Sequence, residues 1–150
     1  MSDASDEATG AVSEAAGGAG AVQVRRIYDA PSADDGQRVL VDRLWPRGVS
    51  KERADLDGWL PQVAPSTQLR EWYHHDPARF AEFSRRYREE LDDPSVPERE
   101  QAYAELVDRA RRGRLTLLTA SKRADISEAT VLAERLDRSL AASAAPQKKG

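Results

Sequence analysis

Arg38-Val39-Leu40-Val41-Asp42-Arg43-Leu44-Trp45-Pro46-Arg47-Gly48 is the stretch whose reading decides the fold. Val39, Leu40 and Val41 make a short aliphatic and β-branched run, the composition of a strand covered on both faces. Asp42 and Arg43 follow at once. A charge beside a buried strand is costly unless it is paired or sits at the strand's mouth. Pro46 then removes a backbone donor and Gly48 permits positive φ, so the strand must stop here. In open α/β sheets, ligands gather just beyond the carboxyl ends of strands. Asp42, Arg43, Trp45 and Arg47 are therefore the first candidate site residues. The bland alternative is a buried Asp42–Arg43 ion pair with Trp45 as a lid on the core.

Working outward, Leu115-Thr116-Leu117-Leu118-Thr119 is a second central strand, ending in Ala120-Ser121-Lys122-Arg123. If it lies parallel to Val39–Val41, Ser121 and Lys122 face Asp42 and Arg43 at one rim. Val22 to Tyr28 reads as a first strand. The link from Ala30 to Gln37 holds Pro31, Asp34, Asp35 and Gly36, which are turn residues. A parallel crossover usually needs a dozen or more residues. The link is near that limit, so a cramped crossover and an antiparallel pairing both remain open.

The helices follow from spacing. Ser50 can cap a short turn through Ala54. Trp59 reads as a core anchor. Ala64-Pro65-Ser66-Thr67 looks like a helix start, and Leu69, Trp72 and Tyr73 then form one apolar stripe. Ser66 and Arg70 lie near the same face, and a helix amino terminus beside an arginine suits an anion. The alternative is a capped helix with a solvated arginine. His74-His75-Asp76-Pro77 ends one helix and caps the next. Successive helical residues point about 100° apart, so these three side chains do not suit one metal shell. His75 stays open as a proton carrier because its pKa lies near neutrality. Phe80, Phe83, Tyr87 and Leu91 mark a helix with one buried face, and the arginines interleaved with Glu82, Glu89 and Glu90 mark its exposed face. Glu98 to Arg112 is helical, stopped by Gly113. Asp125 and Glu128 have the spacing of a capping box for a last helix carrying Ala129, Leu132, Leu136 and Leu140.

Composition narrows the function. Of 150 residues, 33% are charged and 39% hydrophobic, and the net charge is −3, so nothing draws the chain as a whole toward nucleic acid or acidic lipid. Cys is 0, which removes disulfides, thiolate metal sites and cysteine nucleophiles together. No apolar run approaches the roughly 20 residues that span a bilayer, and the start lacks the pattern of a signal peptide. The expected location is the cytoplasm. There is no Gly-x-Gly-x-x-Gly and no phosphate loop ending in Gly-Lys-Ser/Thr, so no cofactor is expected. Residues 1–21 are rich in Ala, Gly, Ser and acids, without an aromatic residue, and read as a disordered tail. Residues 141–150 read as a flexible carboxyl-terminal tail.

The run from Asp35 to Gly48, continued by Ala64-Pro65-Ser66, Leu69-Arg70, His75-Asp76-Pro77, Phe83, Tyr87, Glu90-Leu91 and Leu115-Thr116-Leu117-Leu118, resembles the YeaO-like family. This is a small bacterial group within a larger family of domains of unknown function. The resemblance covers roughly Val22 to Leu136 and implies a single cytoplasmic α/β domain without a settled activity. Where that family often carries Asn-His-Ala near the last helix, this chain has Ser127-Glu128-Ala129.

The expected fold is thus α/β: a small, mostly parallel β-sheet flanked by helices, one domain over 22–140. Two functions fit. The first is a polar pocket at the strand ends for a small anionic or phosphorylated molecule, with weak hydrolytic or transfer chemistry. Arg43, Arg47 and Arg70 would hold the anion, Trp45, Ser66, Ser121 and Lys122 would complete the pocket, and Asp42 or His75 would move a proton. The second is a non-catalytic module for nucleic acid or a protein partner, using Arg25, Arg26, Arg43 and Arg47 with Trp45 as a basic, aromatic patch.

Overall fold

The computed structural model describes residues 22–144; the expected tail over 1–21 lies outside them, as do 145–150. The strands are β1 (Val22–Arg26), β2 (Gln37–Leu40), β3 (Gly58–Trp59) and β4 (Leu115–Thr119). They form one sheet in the order β1-β4-β2-β3, and every pairing is parallel. β4 is buried along its whole length, as its unbroken apolar run requires of a central parallel strand. Alternation then sorts its neighbours. Val39, Val41, Leu115 and Leu117 join one core, while Leu40 and Leu118 join another on the opposite face.

Of the two readings of the first link, the crossover stands. β1 and β2 run the same way, with β4 between them. The link is made compact by a 3-10 turn at Ala33–Asp35, capped by the Ser32 hydroxyl. Asp35 is fully buried beneath it. Its carboxylate accepts from Arg38 at 2.6 Å, from Arg25 at 3.1 Å and from the Ser32 backbone N–H at 3.0 Å. Burial alone would raise the Asp35 pKa, but these donors hold it below the ordinary aspartate value. Thr116 also donates its hydroxyl to the Asp35 carbonyl at 2.7 Å, which pins the link flat against β4.

The helices are α1 (Lys51–Ala54), α2 (Thr67–Tyr73), α3 (Phe80–Asp92), α4 (Pro97–Arg112) and α5 (Glu128–Ala144). The larger core lies under α2 to α5. There the Tyr73 and Phe83 rings stack at 4.2 Å, and Tyr87 continues the column at 5.9 Å from Phe83. Tyr87 is buried because its hydroxyl is satisfied, donating to the Val63 carbonyl. The smaller core, Ile27, Val49, Ala54, Leu40 and Leu118, is covered by α1 and by the loop after β2. Among the described residues no helix is long and apolar enough to cross a membrane.

Three expectations change. Trp59 is not a core anchor: at 40% exposure it lies on the edge strand β3, its ring meeting Trp45. The Asp125–Glu128 capping box is replaced by a 3-10 turn at Ala124–Ile126, where Asp125 is taken by Arg123. The last helix continues to Ala144, past the position where the tail was expected to begin.

Candidate functional site

The carboxyl ends of β2 and β4 open into a hollow of about 500 Å³. Its floor is Asp42, Arg43, Thr119, Ala120 and Ser121 from the two strand ends. α2 and the turn after it supply Arg70, Glu71, Tyr73, His74 and His75, and the start of α5 supplies Glu128, with Ser127 just before it. Leu44, Trp45, Pro46 and Phe83 add apolar wall. The site sits here for a topological reason: parallel β2 and β4 end side by side, and both loops leave in the same direction.

Tryptophans set the loop after β2. The Trp59 indole N–H donates to the Asp42 carbonyl at 2.8 Å, and the Trp45 N–H donates to the Val49 carbonyl at 2.7 Å. The two rings meet edge to face at 5.5 Å. Trp45 therefore both lines the hollow and ties its own loop. α2 ends with His74 and His75 in left-handed conformations, φ +47° and +55°, which turns the chain across the mouth of the hollow.

Asp42 is the centre of the floor. Its Oδ2 accepts from the Ala120 backbone N–H at 2.8 Å, a bond that joins the β2 and β4 rims. Its Oδ1 is buried and meets no ordinary donor. The Glu128 carboxyl lines the same hollow and interacts with Asp42. Two ionised carboxylates are both acceptors, so the contact is a bond only when one of them carries a proton. Glu128 is pushed well above the ordinary glutamate value, first by burial and then by its bond to Asp42 and the Asp42 charge. The Glu128 backbone N–H and the Arg70 charge act the other way. Glu128 therefore keeps its proton to higher pH than an exposed glutamate does.

Arg43 is partly buried in the same floor, and its Nε has no hydrogen-bond partner. Arg70 is exposed on the wall and acts electrostatically on Glu128. Burial raises the Tyr73 pKa, against the opposing charge of Arg123, and its hydroxyl donates to the Ile126 carbonyl. Among the described residues no cluster of three or more His, Cys, Asp or Glu could hold a metal.

The expected site residues divide. Asp42, Arg43, Trp45, Arg70, His75 and Ser121 come together around the hollow. Arg47 does not: it is exposed, and its carbonyl accepts from the Tyr28 hydroxyl at 3.3 Å. Ser66 caps α2 and bonds Glu90 through its hydroxyl and backbone N–H, beside a second, shallower groove. Lys122 is exposed beyond the rim. Glu128 was missed, because the capping-box spacing assigned its side chain a backbone role. The available signal was an acid three residues past Asp125, close in sequence to the rim of a strand expected to lie beside Asp42.

Comparison with known proteins agrees with this architecture. Residues 21–149 match the DUF488-N3i family model, described as the inactive DUF488-N3 subclade. The uncharacterized protein Rv3073c of Mycobacterium tuberculosis (strain ATCC 25618 / H37Rv) is 47% identical over 116 residues, covering 77% of this chain and 93% of the relative. The uncharacterized protein YeaO of Escherichia coli (strain K12) is 41% identical over 115 residues, covering 77% of this chain and 96% of the relative. No solved structure matches. With the family model spanning the whole described domain and both relatives covered almost end to end, the chain belongs to the DUF488-N3i family, the YeaO-like proteins.

Proposed function

We propose that this chain binds a small anionic or phosphorylated molecule in the hollow at the carboxyl ends of β2 and β4. One observation carries the reading: the Arg43 Nε is buried in the floor without a partner, and Arg70 stands on the wall of the same hollow. A buried guanidinium donor left unpaired is costly, and a carboxylate or phosphate oxygen is the group its fork matches. Ser121 and His75 add hydrogen-bonding capacity at the rim. Asp42 and His75 are the groups that would carry a proton in any hydrolytic or transfer step. The description of the matched family as inactive favours binding without turnover. We place this binding in the cytoplasm.

The nucleic-acid or protein module has less support. Arg25 is spent on Asp35, Arg26 is spent on the Ser121 carbonyl and the Tyr28 ring, and Arg43 faces the hollow.

Thermal-shift titration with inorganic phosphate, glucose 6-phosphate and 3-phenylpropionate tests the proposal. A true ligand at a hundred times its Kd stabilises the fold by about 2.7 kcal/mol. That rise in Tm is expected to vanish in Arg43→Ala while the unliganded fold survives. No shift with any of the three anions, or an equal shift in Arg43→Ala, rejects it. Oligonucleotide binding with steep salt dependence would favour the module instead.

A further inference from the structure

An anionic group meets only part of the charge lining the hollow. Asp42, Glu71 and Glu128 line it together with Arg43 and Arg70, with His74 and His75 from the turn after α2. A purely anionic guest would satisfy the guanidinium groups and add its charge beside two carboxyls already in contact. Those carboxyls have their own unmet need. Asp42 Oδ1 is buried without a hydrogen-bond partner, and Glu128, an acid lining the same hollow, is held toward its protonated form. A hydroxyl brings one donor and leaves the second carboxylate unmet. An ammonium brings three donors and a full charge, enough for Asp42 Oδ1 and the Glu128 carboxylate together.

The remaining wall is apolar and aromatic: Leu44, Trp45, Pro46, Tyr73 and Phe83. Leu44 is 71% exposed and stands at the rim, where a bound apolar side chain would cover it. The volume of about 500 Å³ lies in the lower half of the usual range for small-molecule pockets.

We infer that the hollow takes an apolar amino acid as its zwitterion, with the carboxylate held by Arg43 and Arg70, the ammonium on the Asp42–Glu128 pair, and the side chain against Trp45, Tyr73 and Phe83. This rests on the anion-binding reading of the same hollow and adds the second charge. On binding, the proton that Glu128 keeps leaves to solvent, and the ammonium replaces it. The charged and titratable groups around the pair are Arg43, Arg70, Glu71, Tyr73, Tyr87, His74 and His75.

Calorimetry on the full chain decides it, using L-phenylalanine, 3-phenylpropionate, which lacks the amine, and phenethylamine, which lacks the carboxylate. L-phenylalanine is expected to bind at least about tenfold tighter than either fragment, a difference of about 1.4 kcal/mol. Runs in buffers of different ionisation enthalpy should show net proton release with the two amine-bearing probes and none with 3-phenylpropionate. Glu128→Gln keeps a hydrogen bond to Asp42 but removes the charge, so it should cost phenylalanine about tenfold or more and leave 3-phenylpropionate unchanged. Equal affinity for phenylalanine and 3-phenylpropionate, or phenylalanine binding indifferent to Glu128→Gln, overturns the inference and leaves the anion site standing. Binding of L-phenylalanine or 3-phenylpropionate that Arg43→Ala does not weaken removes the anion site itself.

Discussion

Glu128 shows how much a single side chain depends on what faces it. At the first position of α5 a glutamate is ordinarily a favourable, solvated partner of the helix dipole. Here it meets Asp42, and burial with that neighbour raises its pKa well above the ordinary value. The sign of the consequence follows. A raised carboxyl keeps its proton in the folded chain after the unfolded chain has lost it, so folding is favoured at low pH. Glu128's contribution is complete below its unfolded value and is lost as pH rises through the folded one. Glu128→Gln should therefore flatten the decline of stability on the neutral and alkaline side. Its Tm at pH 8 is expected to exceed the parent's by roughly 2–4 °C, the shift that about 1 kcal/mol makes in a chain of this size. Tm measured across pH 4 to 9 for both proteins checks this, and parallel curves would contradict it. Asp42 was legible as a site residue because it follows an apolar run directly. Glu128 was not, because its partner is eighty-six positions away in the chain and comes near only through the β2–β4 pairing.

At the scale of elements, the link between β1 and β2 is the least ordinary piece. It crosses from the end of one parallel strand to the start of another through a single 3-10 turn. Gly36 makes the exit possible, with φ +63° and ψ −133°. A Cβ there would lie 2.3 Å from the Arg114 carbonyl oxygen, which belongs to backbone and cannot move aside. Gly36 N–H neighbours are equally fixed, since the next residue, Gln37, donates its backbone N–H to that same carbonyl at 3.0 Å. Gly36→Ala is therefore expected to lower unfolding stability by about 3 kcal/mol or more, combining strained backbone with a steric clash. Urea denaturation followed by circular dichroism would measure it, and a loss below about 1 kcal/mol would contradict the geometry. Turn chemistry in the link was readable from Pro31, Asp34, Asp35 and Gly36. The role of Asp35 as a buried anchor for Arg25 and Arg38 was not, since an aspartate in a turn is commonly solvated.

For the whole molecule, two cores of unequal size lie on the two faces of one sheet. The strands pass through both, so the faces should not unfold separately. Leu132 is fully buried on α5 in the larger core, while Trp45 packs against the smaller one and touches Trp59. Leu132→Ala should cost 2–5 kcal/mol by analogy with other buried leucines, roughly the effect of a cavity that the surroundings only partly refill. Tryptophan fluorescence and far-ultraviolet circular dichroism should still report one coincident transition in urea. Separated transitions would mean that the two faces are independent units.

Local pattern determined a good deal of this protein: a strand through Val39 and Leu40, the central strand at Leu115–Thr119, the period of α3, the cap at Ser50, a helix start near Ser66, and the polar mouth after Val41. Those features rest on side-chain periodicity and on residues acting within a few positions of themselves. Tertiary structure decided what such short-range signals do not encode: that β4 inserts between β1 and β2, that Trp59 grips the Asp42 carbonyl from an edge strand, and that Arg47, Ser66 and Lys122 turn away from the hollow. It also brought Glu128 against Asp42. The physical reason is common to all of them: strand order and the direction of a loop are set by burial summed over the entire chain, and only then does a charge acquire its partner.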